Sequence, residues 1–328
     1  MLYSVIFQKN VSVTNFVLVG LANQERQNIF LFLFFFLLYF ITISVNVSVM
    51  IIIILDTSLH TPMYFFLGNL SFLDIFYSSV VVPRMLYDFL SCRRTISFGG
   101  CISQIYFFHF FGSTEVTLFS VMSYDRYVAI GQPLRYSRIM SRKVCVLLAL
   151  SSWTIGFFHS LLHTVMTVKL SFCENNLVEH FFCDIKPVLK LACEDISLNL
   201  KLLTRVTGTL ATTTFLLTFL SYLFIGKVIF NMQTSHGRKR ALATCSAHLT
   251  VVFLQYGTAI FTYIRPLTDK SLYQDKAAAV LFTAITPTLN PILYTVRNKD
   301  MSKAIRKMLK ISAIKSRSKR STTLTVAI

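Results

Sequence analysis

Seven apolar segments dominate the sequence, and each is long enough to cross a lipid bilayer as one helix. A membrane helix needs about 20 predominantly apolar residues. The segments are 29–55, 62–87, 100–127, 144–166, 199–229, 241–264 and 277–295. Charged residues make up only 14% of the chain, against about 25% in soluble proteins. We therefore predict an all-α membrane protein, a bundle of seven transmembrane helices that spans 29–295.

The basic residues predict how the bundle is oriented. Nineteen of the 32 Lys and Arg residues, but only three acidic residues, fall on one side of a seven-helix topology, mainly in 126–143, 227–240 and 297–320. Loops rich in Lys and Arg stay in the cytosol, so we predict a multi-pass protein with an extracellular N-terminus, 1–28, and a cytosolic C-terminus. The net charge of +18 then reflects orientation, and no nucleic-acid partner is expected.

The two ends of the chain carry their own signals. Over 296–310 basic and apolar residues alternate at helical spacing, which is typical of an amphipathic helix on the anionic inner leaflet. Membrane lipids are therefore expected partners, and 311–328 is predicted to be a basic cytosolic tail. Asn10 begins an Asn-Val-Ser sequon, a candidate glycosylation site in the exposed N-terminus.

An acid and an arginine lie side by side where the third apolar segment ends in a basic loop, in the sequence Asp125-Arg126-Tyr127. Ionisable groups are costly near lipid, so their presence there needs a reason. One interpretation is a charge switch, in which Arg126 pairs with Asp125 at rest and is released to a cytosolic partner. The other is a helix-end ion pair that has no switching role.

Four of the seven cysteines fall in or beside segments expected outside the cell, where disulfides persist: Cys101, Cys173, Cys183 and Cys193. Four cysteines allow three pairings, and the residues alone do not choose among them. Cys145 and Cys245 fall near the cytosolic side and are expected to be free thiols. His180, Cys183 and Asp184 have metal-ligating types, but a disulfide at Cys183 removes one ligand, so no metal site is predicted.

Five motifs, in chain order, give the chain a more specific resemblance. They are LHTPMYFFL at 59–67, SYDRYVAI at 123–130, SY at 221–222, RALATCSAHL at 240–249 and PTLNPILY at 287–294. With these motifs the chain resembles an odorant (olfactory) receptor of the tetrapod-type class, within the rhodopsin-like family of G-protein-coupled receptors. The resemblance extends over residues 16–307. The motif in the sixth apolar segment is the most specific, because other rhodopsin-like receptors lack it.

This resemblance implies a plasma-membrane receptor that serves olfaction and activates a stimulatory, olfactory-type G protein to raise cyclic AMP. It implies no enzymatic activity. The residues implied in G-protein coupling and switching are Asp125, Arg126, Tyr127, Tyr222, His248, Asn290, Pro291 and Tyr294. Tyr222 and Tyr294 are expected to stabilise the released Arg126. Pro291 removes a backbone hydrogen bond and is expected to make the seventh helix bendable.

The resemblance also implies a ligand pocket among the third, fifth, sixth and seventh helices. Its expected lining residues are Ile105, Phe108, His109, Gly112, Ser113, Val206, Thr207, Leu210, Tyr256, Ala259, Ile260, Tyr263, Val280 and Thr283. This lining is mostly apolar with a few hydroxyls and one imidazole, which suits a small, weakly polar organic odorant. Two interpretations of His109 stay open: it orients the ligand, or it bonds to a neighbouring helix.

Two further expectations rest on the resemblance. The expected disulfides are Cys101–Cys183 and Cys173–Cys193. A buried polar centre is expected from Asn46, Asp74, Glu115 and Asn290. Two nearby acids in a low dielectric cannot both ionise cheaply, so we expect either a shared proton or a bound sodium ion at Asp74 and Glu115, and no other cofactor.

The sequence departs from the family pattern at four positions near its motifs: Val45, Ser123, Gly131 and Gln255. Gln255 stands where Phe commonly precedes the Tyr-Gly of the sixth helix. None of the four departures removes a charge or a proline on which the switch depends. Two other functions stay open: a transporter or channel with an ion path along Asp74 and Glu115, and a receptor outside the nose that senses a metabolite.

Overall fold

The computed structural model describes six ranges of the chain: 13–21, 24–91, 93–173, 175–263, 269–297 and 300–308. Within them, seven long helices follow one another: α1 (Glu25–Leu55), α2 (Pro62–Leu90), α3 (Phe98–Gly131), α4 (Arg142–Val168), α5 (Ser197–Phe230), α6 (Ser235–Tyr263) and α7 (269–297). An eighth helix, α8, covers 300–308. Asn10 and the tail at 311–328 lie outside the described residues, so what was expected of them stays a prediction.

The helices extend somewhat beyond the predicted apolar segments because polar residues at their ends continue the helical path. α6 begins at Ser235, ahead of the apolar segment, so the basic residues before position 241 join the helix. α2 starts with Pro62, which fits the first helical turn because that turn has no intrahelical use for the missing N–H. At the start of α3, the Ser97 hydroxyl accepts a hydrogen bond from the Gly100 amide at 3.1 Å.

Among the described residues, α1, α2, α4, α5 and α7 are both long and apolar enough to cross a membrane. α3 and α6 have the length but are more polar. The polar composition of α3 fits its position in the bundle. It contacts α2, α4, α5 and α6, so its side chains face protein. Its buried polar residues include Ser113, Glu115 and Ser120. Among the described residues, the central helix of the bundle thus carries more buried polar residues than any other helix.

α3 and α4 approach each other closely at Gly156. A Cβ atom added to Gly156 would overlap the Thr114 side chain and lie 2.8 Å from the backbone oxygen of Phe110. Small residues permit such close packing between membrane helices. One turn further along α4, the Ser160 hydroxyl donates a hydrogen bond to the backbone oxygen of Tyr106. This crossing fixes the polar side chains of α4 against α3.

Two of the described helices contain a π-helical turn: α5 at Leu203–Thr207 and α7 at Leu281–Ile285. A π turn inserts one extra residue into the helical repeat, so it rotates the residues beyond it around the helix axis. In α7, Pro291 follows within the same helix and removes a backbone donor. The faces that α5 and α7 present to the bundle therefore change along their length.

A small β-sheet at one end of the bundle is an addition to the predicted all-α fold. β1 (Asn15–Leu18) pairs antiparallel with β2 (Thr95–Ser97) and parallel with β3 (Leu177–Val178), in the order β2-β1-β3. Phe16 and Leu18 of β1 are buried in a core cluster that also contains the Cys101 and Cys183 side chains. The strands have two to four residues each, too short for an alternating pattern to indicate them.

At the opposite end, α8 packs one face onto the main core of the bundle. Met301 and Ala304 are buried in that core, whereas Lys303 and Lys307 are exposed. The Lys307 Nζ lies 3.3 Å from Oδ2 of Asp56, which follows directly after α1. The amphipathic helix expected over 296–310 is thus present as a helix over 300–308.

Candidate functional site

A disulfide-bonded loop covers the β-sheet end of the bundle. Its two bonds are Cys101–Cys183 and Cys173–Cys193, the pairing that the family resemblance implied. The first bond ties the loop to the start of α3. Directly after it comes a short helix, Ile185–Leu189, all of whose side chains are buried. The loop is therefore packed into the end of the bundle.

Beneath this loop lies a cavity of about 60 Å³ between the helices. Its lining residues are Tyr77, Phe108, His109, Gly112, Ser113, Val116, His159, Thr207, Leu210, Ala211, Gln255, Thr258, Ala259 and Phe282. Seven of them are predicted pocket residues: Phe108, His109, Gly112, Ser113, Thr207, Leu210 and Ala259. The described lining has hydroxyl, imidazole and amide groups on an apolar wall, and it includes no carboxylate.

Some predicted pocket residues on α3 and α5 lie elsewhere. Ile105 packs with the disulfide-bonded cysteines under the loop. Val206 lines a separate groove between α3, α4 and α5. Val206 falls inside the π turn of α5, and its neighbour Thr207 is the residue that faces the cavity. Consecutive helical residues point about 100° apart, so an error of one position exchanges a cavity residue for one on another face.

The same one-residue difference separates prediction from structure in α6 and α7. Tyr256 does not line the cavity, because its ring packs against Phe215 and its hydroxyl donates to the backbone oxygen of Val116 at 3.3 Å. In α7, Val280 packs against the main core, and the Thr283 hydroxyl donates to a backbone oxygen of its own helix. The side chains of Ile260 and Tyr263 lie outside the described residues.

Seven cavity residues were absent from the sequence prediction: Tyr77, Val116, His159, Ala211, Gln255, Thr258 and Phe282. Two of them had a signal that was available. His159 is a polar residue within the apolar fourth segment, and Gln255 is a departure from the family pattern. Phe282 had none, because its orientation depends on the π turn that contains it.

A cluster of three histidines and one aspartate, here called the histidine cluster, joins the cavity to the loop. It consists of His109, His159, His163 and Asp184. The Nε2 of His109 lies 3.0 Å from the Asp184 carboxylate, and both residues are buried. His109 therefore lines the cavity while it bonds to the loop, which differs from the bond to a neighbouring helix that one interpretation predicted.

On the other side of this cluster, hydrogen bonds connect α3, α4 and α5. His159 Nδ1 lies 2.8 Å from the Ser113 hydroxyl, and His159 Nε2 lies 3.1 Å from the Thr207 hydroxyl. The His159 and His163 ring centroids are 4.7 Å apart. Both nitrogens of His159 are thus engaged, so its ring has one fixed orientation in the cavity wall.

Two of the buried titratable groups of the loop, Asp184 and His180, have shifted pKa values. Burial acts to raise the pKa of Asp184, but its contacts with His109, His180 and the Ile185 amide together outweigh burial, and the pKa lies below its ordinary value. Burial lowers the pKa of His180 to about 4, so this imidazole is neutral near neutral pH. The His180 ring stacks on Phe181, with ring centroids 4.7 Å apart. The loop therefore combines an ionised carboxylate with a neutral, stacked imidazole.

A second polar cluster, here called the carboxylate centre, lies where α2, α3, α6 and α7 meet. It consists of Asp74, Glu115, Gln255 and Asn290, all buried. Asn290 Nδ2 donates to Asp74 Oδ1 at 2.9 Å and to Glu115 Oε1 at 3.2 Å. Gln255 Nε2 donates to Glu115 Oε2 at 2.8 Å. One oxygen each of Asp74, Gln255 and Asn290 has no hydrogen-bond partner. Acceptors therefore outnumber donors.

Asn46 was expected in the same centre, and its side chain has another role. Its Nδ2 donates to the backbone oxygens of Thr42 and Pro287, both at 3.0 Å. The hydroxyls of Thr42 and Thr288 lie 2.6 Å apart. Asn46 and Thr42 thus connect α1 to α7 beside Pro287. The described carboxylate contacts come from Asn290 and Gln255.

Within the described part of the chain, Asp125 and Arg126 do not form the predicted ion pair. Asp125 Oδ1 accepts a hydrogen bond from the Tyr136 hydroxyl at 2.8 Å. Arg126 Nη2 is buried and has no hydrogen-bond partner. Adjacent residues of a helix point to different faces, so proximity in sequence does not bring these two side chains together. The guanidinium is already separated from its neighbouring acid.

Three other predicted switch residues, Tyr222, His248 and Tyr294, converge near Arg126. The Tyr222 hydroxyl lies 2.6 Å from His248 Nδ1, and the ring centroids of His248 and Tyr294 are 6.2 Å apart. All three residues lie within electrostatic range of Arg126. Tyr127 instead packs its ring against Phe224. α5, α6 and α7 therefore meet α3 at the end opposite the cavity loop.

The seven-helix bundle, its buried carboxylate centre and the arginine at the end of α3 define a rhodopsin-like G-protein-coupled receptor. The sequence matches the olfactory receptor family over residues 35–311. It is 49% identical to human Olfactory receptor 12D1 over 300 residues, which cover 91% of this chain and 94% of that relative. It is 45% identical to mouse Olfactory receptor 5AR1 over 297 residues, 90% of this chain and 96% of that relative. The chain belongs to the olfactory receptor family.

This membership confirms the resemblance found in the five motifs. It makes the protein a multi-pass plasma-membrane receptor for sensory transduction, of a family that takes odorant ligands and couples to G proteins. It also confirms that the chain is not an enzyme, because the relatives are receptors.

Proposed function

We propose that the cavity binds a small, weakly polar organic odorant, and that binding favours a bundle state which activates a stimulatory, olfactory-type G protein and raises cyclic AMP. The cavity carries this proposal, because its mostly apolar wall includes hydroxyl and imidazole groups that already have fixed partners. Such a wall holds a ligand by contact area and orients it with a few hydrogen bonds. A lining without carboxylates among its described residues disfavours a charged amine as ligand.

Arg126 is the residue proposed to meet the G protein. Its Nη2 has no hydrogen-bond partner, and Tyr136 holds the neighbouring Asp125. A buried guanidinium donor without an acceptor is costly, so a partner that supplies acceptor oxygens there is stabilised. Ligand binding then needs only to change the relative free energies of two bundle states.

The proposed orientation places the β-sheet and the disulfides outside the cell and α8 inside it. Disulfides persist in the extracellular environment. α8 buries Met301 and Ala304 and exposes Lys303, Arg306 and Lys307. A helix with this distribution suits the surface of an anionic inner leaflet. Lipid headgroups are accordingly proposed partners of α8.

We also propose that the carboxylate centre holds one added positive charge, as a proton shared by Asp74 and Glu115 or as a sodium ion. The excess of acceptor oxygens supports this, since two buried carboxylates this close do not both remain ionised without compensation. Thermal unfolding in sodium chloride and in choline chloride separates the two forms. A bound sodium ion raises the Tm in sodium alone, and Asp74→Asn removes that difference.

A cyclic-AMP reporter in cells that express the chain tests the signalling proposal with a panel of odorants. Arg126→Ala is expected to abolish the response while surface expression, measured with an antibody to an N-terminal tag, is retained. Arg138→Ala is the matched control, because this arginine is exposed in the loop that follows α3. A response that survives Arg126→Ala contradicts the proposal. An odorant-evoked current without a G protein favours the transporter or channel instead.

A further inference from the structure

Gln255 belongs to both the cavity and the carboxylate centre. It is only 4% exposed and lines the cavity. Its Nε2 donates to Glu115 Oε2 at 2.8 Å, and its Oε1 is buried without a hydrogen-bond partner. The amide nitrogen of Gln255 thus has a carboxylate as its hydrogen-bond partner, whereas the amide oxygen has no partner.

The orientation of this amide follows from the group beside it. A carboxylate oxygen accepts hydrogen bonds, so the Glu115 oxygen requires the donor nitrogen of Gln255. Because the amide is planar, its oxygen is then directed away from Glu115. A buried acceptor without a partner is unfavourable, and a ligand that donates a hydrogen bond removes the deficit.

Three other polar groups of the cavity wall already have hydrogen-bond partners. Ser113 and Thr207 bond to the two nitrogens of His159. The Thr258 hydroxyl donates to backbone oxygens of its own helix, those of Leu254 and Gln255. An incoming ligand has to replace an existing hydrogen bond at each of these groups, but it replaces none at the Gln255 oxygen.

We infer that Gln255 selects odorants that carry a hydrogen-bond donor, a hydroxyl or an N–H group, by accepting that hydrogen through its Oε1. The inference rests on the proposed ligand site and adds a specificity-determining residue to it. The same amide contacts Glu115, so a ligand bound at Gln255 also contacts the carboxylate centre through one side chain. A phenylalanine, the residue common at this position, offers neither contact.

Matched alcohol and ketone pairs test this selection, because each pair keeps one carbon skeleton and exchanges a donor for an acceptor. The probes are borneol with camphor and menthol with menthone. Potency is measured by the cyclic-AMP reporter, and binding by the ligand-induced rise in the Tm of the purified receptor. The alcohol is expected to be more potent than its ketone by about three- to tenfold, the range of one neutral hydrogen bond.

Three variants define the outcome. Gln255→Leu is expected to bring the alcohol-to-ketone potency ratio close to one by weakening the alcohol. Glu115→Gln removes the carboxylate that orients the amide, so the ratio is expected to fall because the ketone gains. A folding defect would weaken both ligands, so a gain in ketone potency in Glu115→Gln separates a specificity role from a loss of folding. Thr250→Val, which removes an exposed hydroxyl on the same helix, is expected to keep the wild-type ratio.

The two readouts separate this inference from the proposed function. If the alcohols raise the Tm but no probe raises cyclic AMP, the signalling proposal fails and the selection by Gln255 stands. If ketones act as well as alcohols, if the ratio is unchanged in Gln255→Leu, or if no alcohol raises the Tm, the inference is overturned.

Discussion

The histidine cluster and the carboxylate centre border the same cavity, but their hydrogen-bond balance differs. In the histidine cluster, the Asp184 carboxylate has both His109 and the backbone amide of Ile185 as donors, and both nitrogens of His159 have partners. In the carboxylate centre, oxygens outnumber donors, and several have no partner. The first cluster is complete within the chain and holds the loop in place. We propose that a proton, a cation or a ligand completes the second.

The largest expected effect is at Asn290, the donor shared by both acids of the carboxylate centre. Asn290→Ala removes one hydrogen bond to Asp74 and one to Glu115, and the free energy of unfolding is expected to fall by about 3–5 kcal/mol, because each hydrogen bond to a charged group contributes about 1.5–3 kcal/mol. Thermal unfolding in detergent measures the change. Asn231→Ala, directly after α5, is the control, because the Asn231 side chain is exposed. Equal losses in the two variants contradict the difference between the clusters.

The next largest effect is a dependence of stability on pH that comes from His180 in the disulfide-bonded loop. The pKa of His180 is about 4 in the folded protein, below its ordinary value of about 6.5. As the pH falls, His180 therefore takes up a proton in the unfolded chain before it does so in the folded protein. The contribution of neutral His180 to the free energy of unfolding is complete above a pH of about 6.5. It is lost as the pH falls toward about 4, by roughly 2–3 kcal/mol. Asp184 has a lowered pKa, so its contribution is lost only in stronger acid.

His180→Gln isolates this contribution, because other titrating groups are common to both proteins. The difference in Tm between wild type and variant is expected to shrink as the pH falls through that window. Parallel pH curves for the two proteins rule out the role given to His180.

A smaller effect is expected where the histidine cluster meets the loop. Asp184→Ala leaves the buried Nε2 of His109 without this partner, which costs about 2 kcal/mol of unfolding free energy. Because the loop covers the cavity, odorant dissociation should also become faster. Glu179→Ala is the control, because the Glu179 carboxylate of the same loop pairs with Lys190 at an exposed site, and loss of an exposed ion pair should change the Tm much less. If both variants behave alike, the His109–Asp184 contact does not hold the loop.

The smallest expected effect is at Ser113. Ser113→Ala removes one of the two partners of His159, and a neutral hydrogen bond contributes about 1 kcal/mol. The Thr207 contact remains, so the His159 ring should keep a partner. The Tm of the variant, compared with Ser48→Ala on the exposed face of α1, measures the difference. A loss as large as that of Asn290→Ala would show that both clusters are equally sensitive.

The sequence was sufficient to predict the helices and to identify residues that the family resemblance places in one site. The apolar segments predicted the seven helices, and the family resemblance implied a polar centre with Asp74, Glu115 and Asn290, which the structure brings into contact. These predictions depend on composition and on the spacing of motifs along the chain. They do not require the rotation of each helix to be known.

The sequence did not predict how each helix is rotated about its own axis, and so did not predict which residues face the cavity. The cavity residues of α5 and α7 depend on π turns, which no local pattern indicated. In α6, Gln255 rather than Tyr256 lines the cavity, a difference of one residue. Asp125 illustrates the same limit: its partner Tyr136 comes from the following loop, while adjacent Arg126 points to another face. Contacts between distant segments decided each of these cases.

The parallel pairing of β1 with β3 also constrains the order in which the chain can be assembled. β1 is synthesised first, but Val17 pairs with Leu177, which follows α4 in the chain. β1 therefore waits, without that partner, until four helices have been inserted into the membrane with β3 on the correct side. A helix inserted in the wrong direction leaves the two strands on opposite sides of the bilayer. The small sheet thus forms only in a chain whose first half has the correct topology.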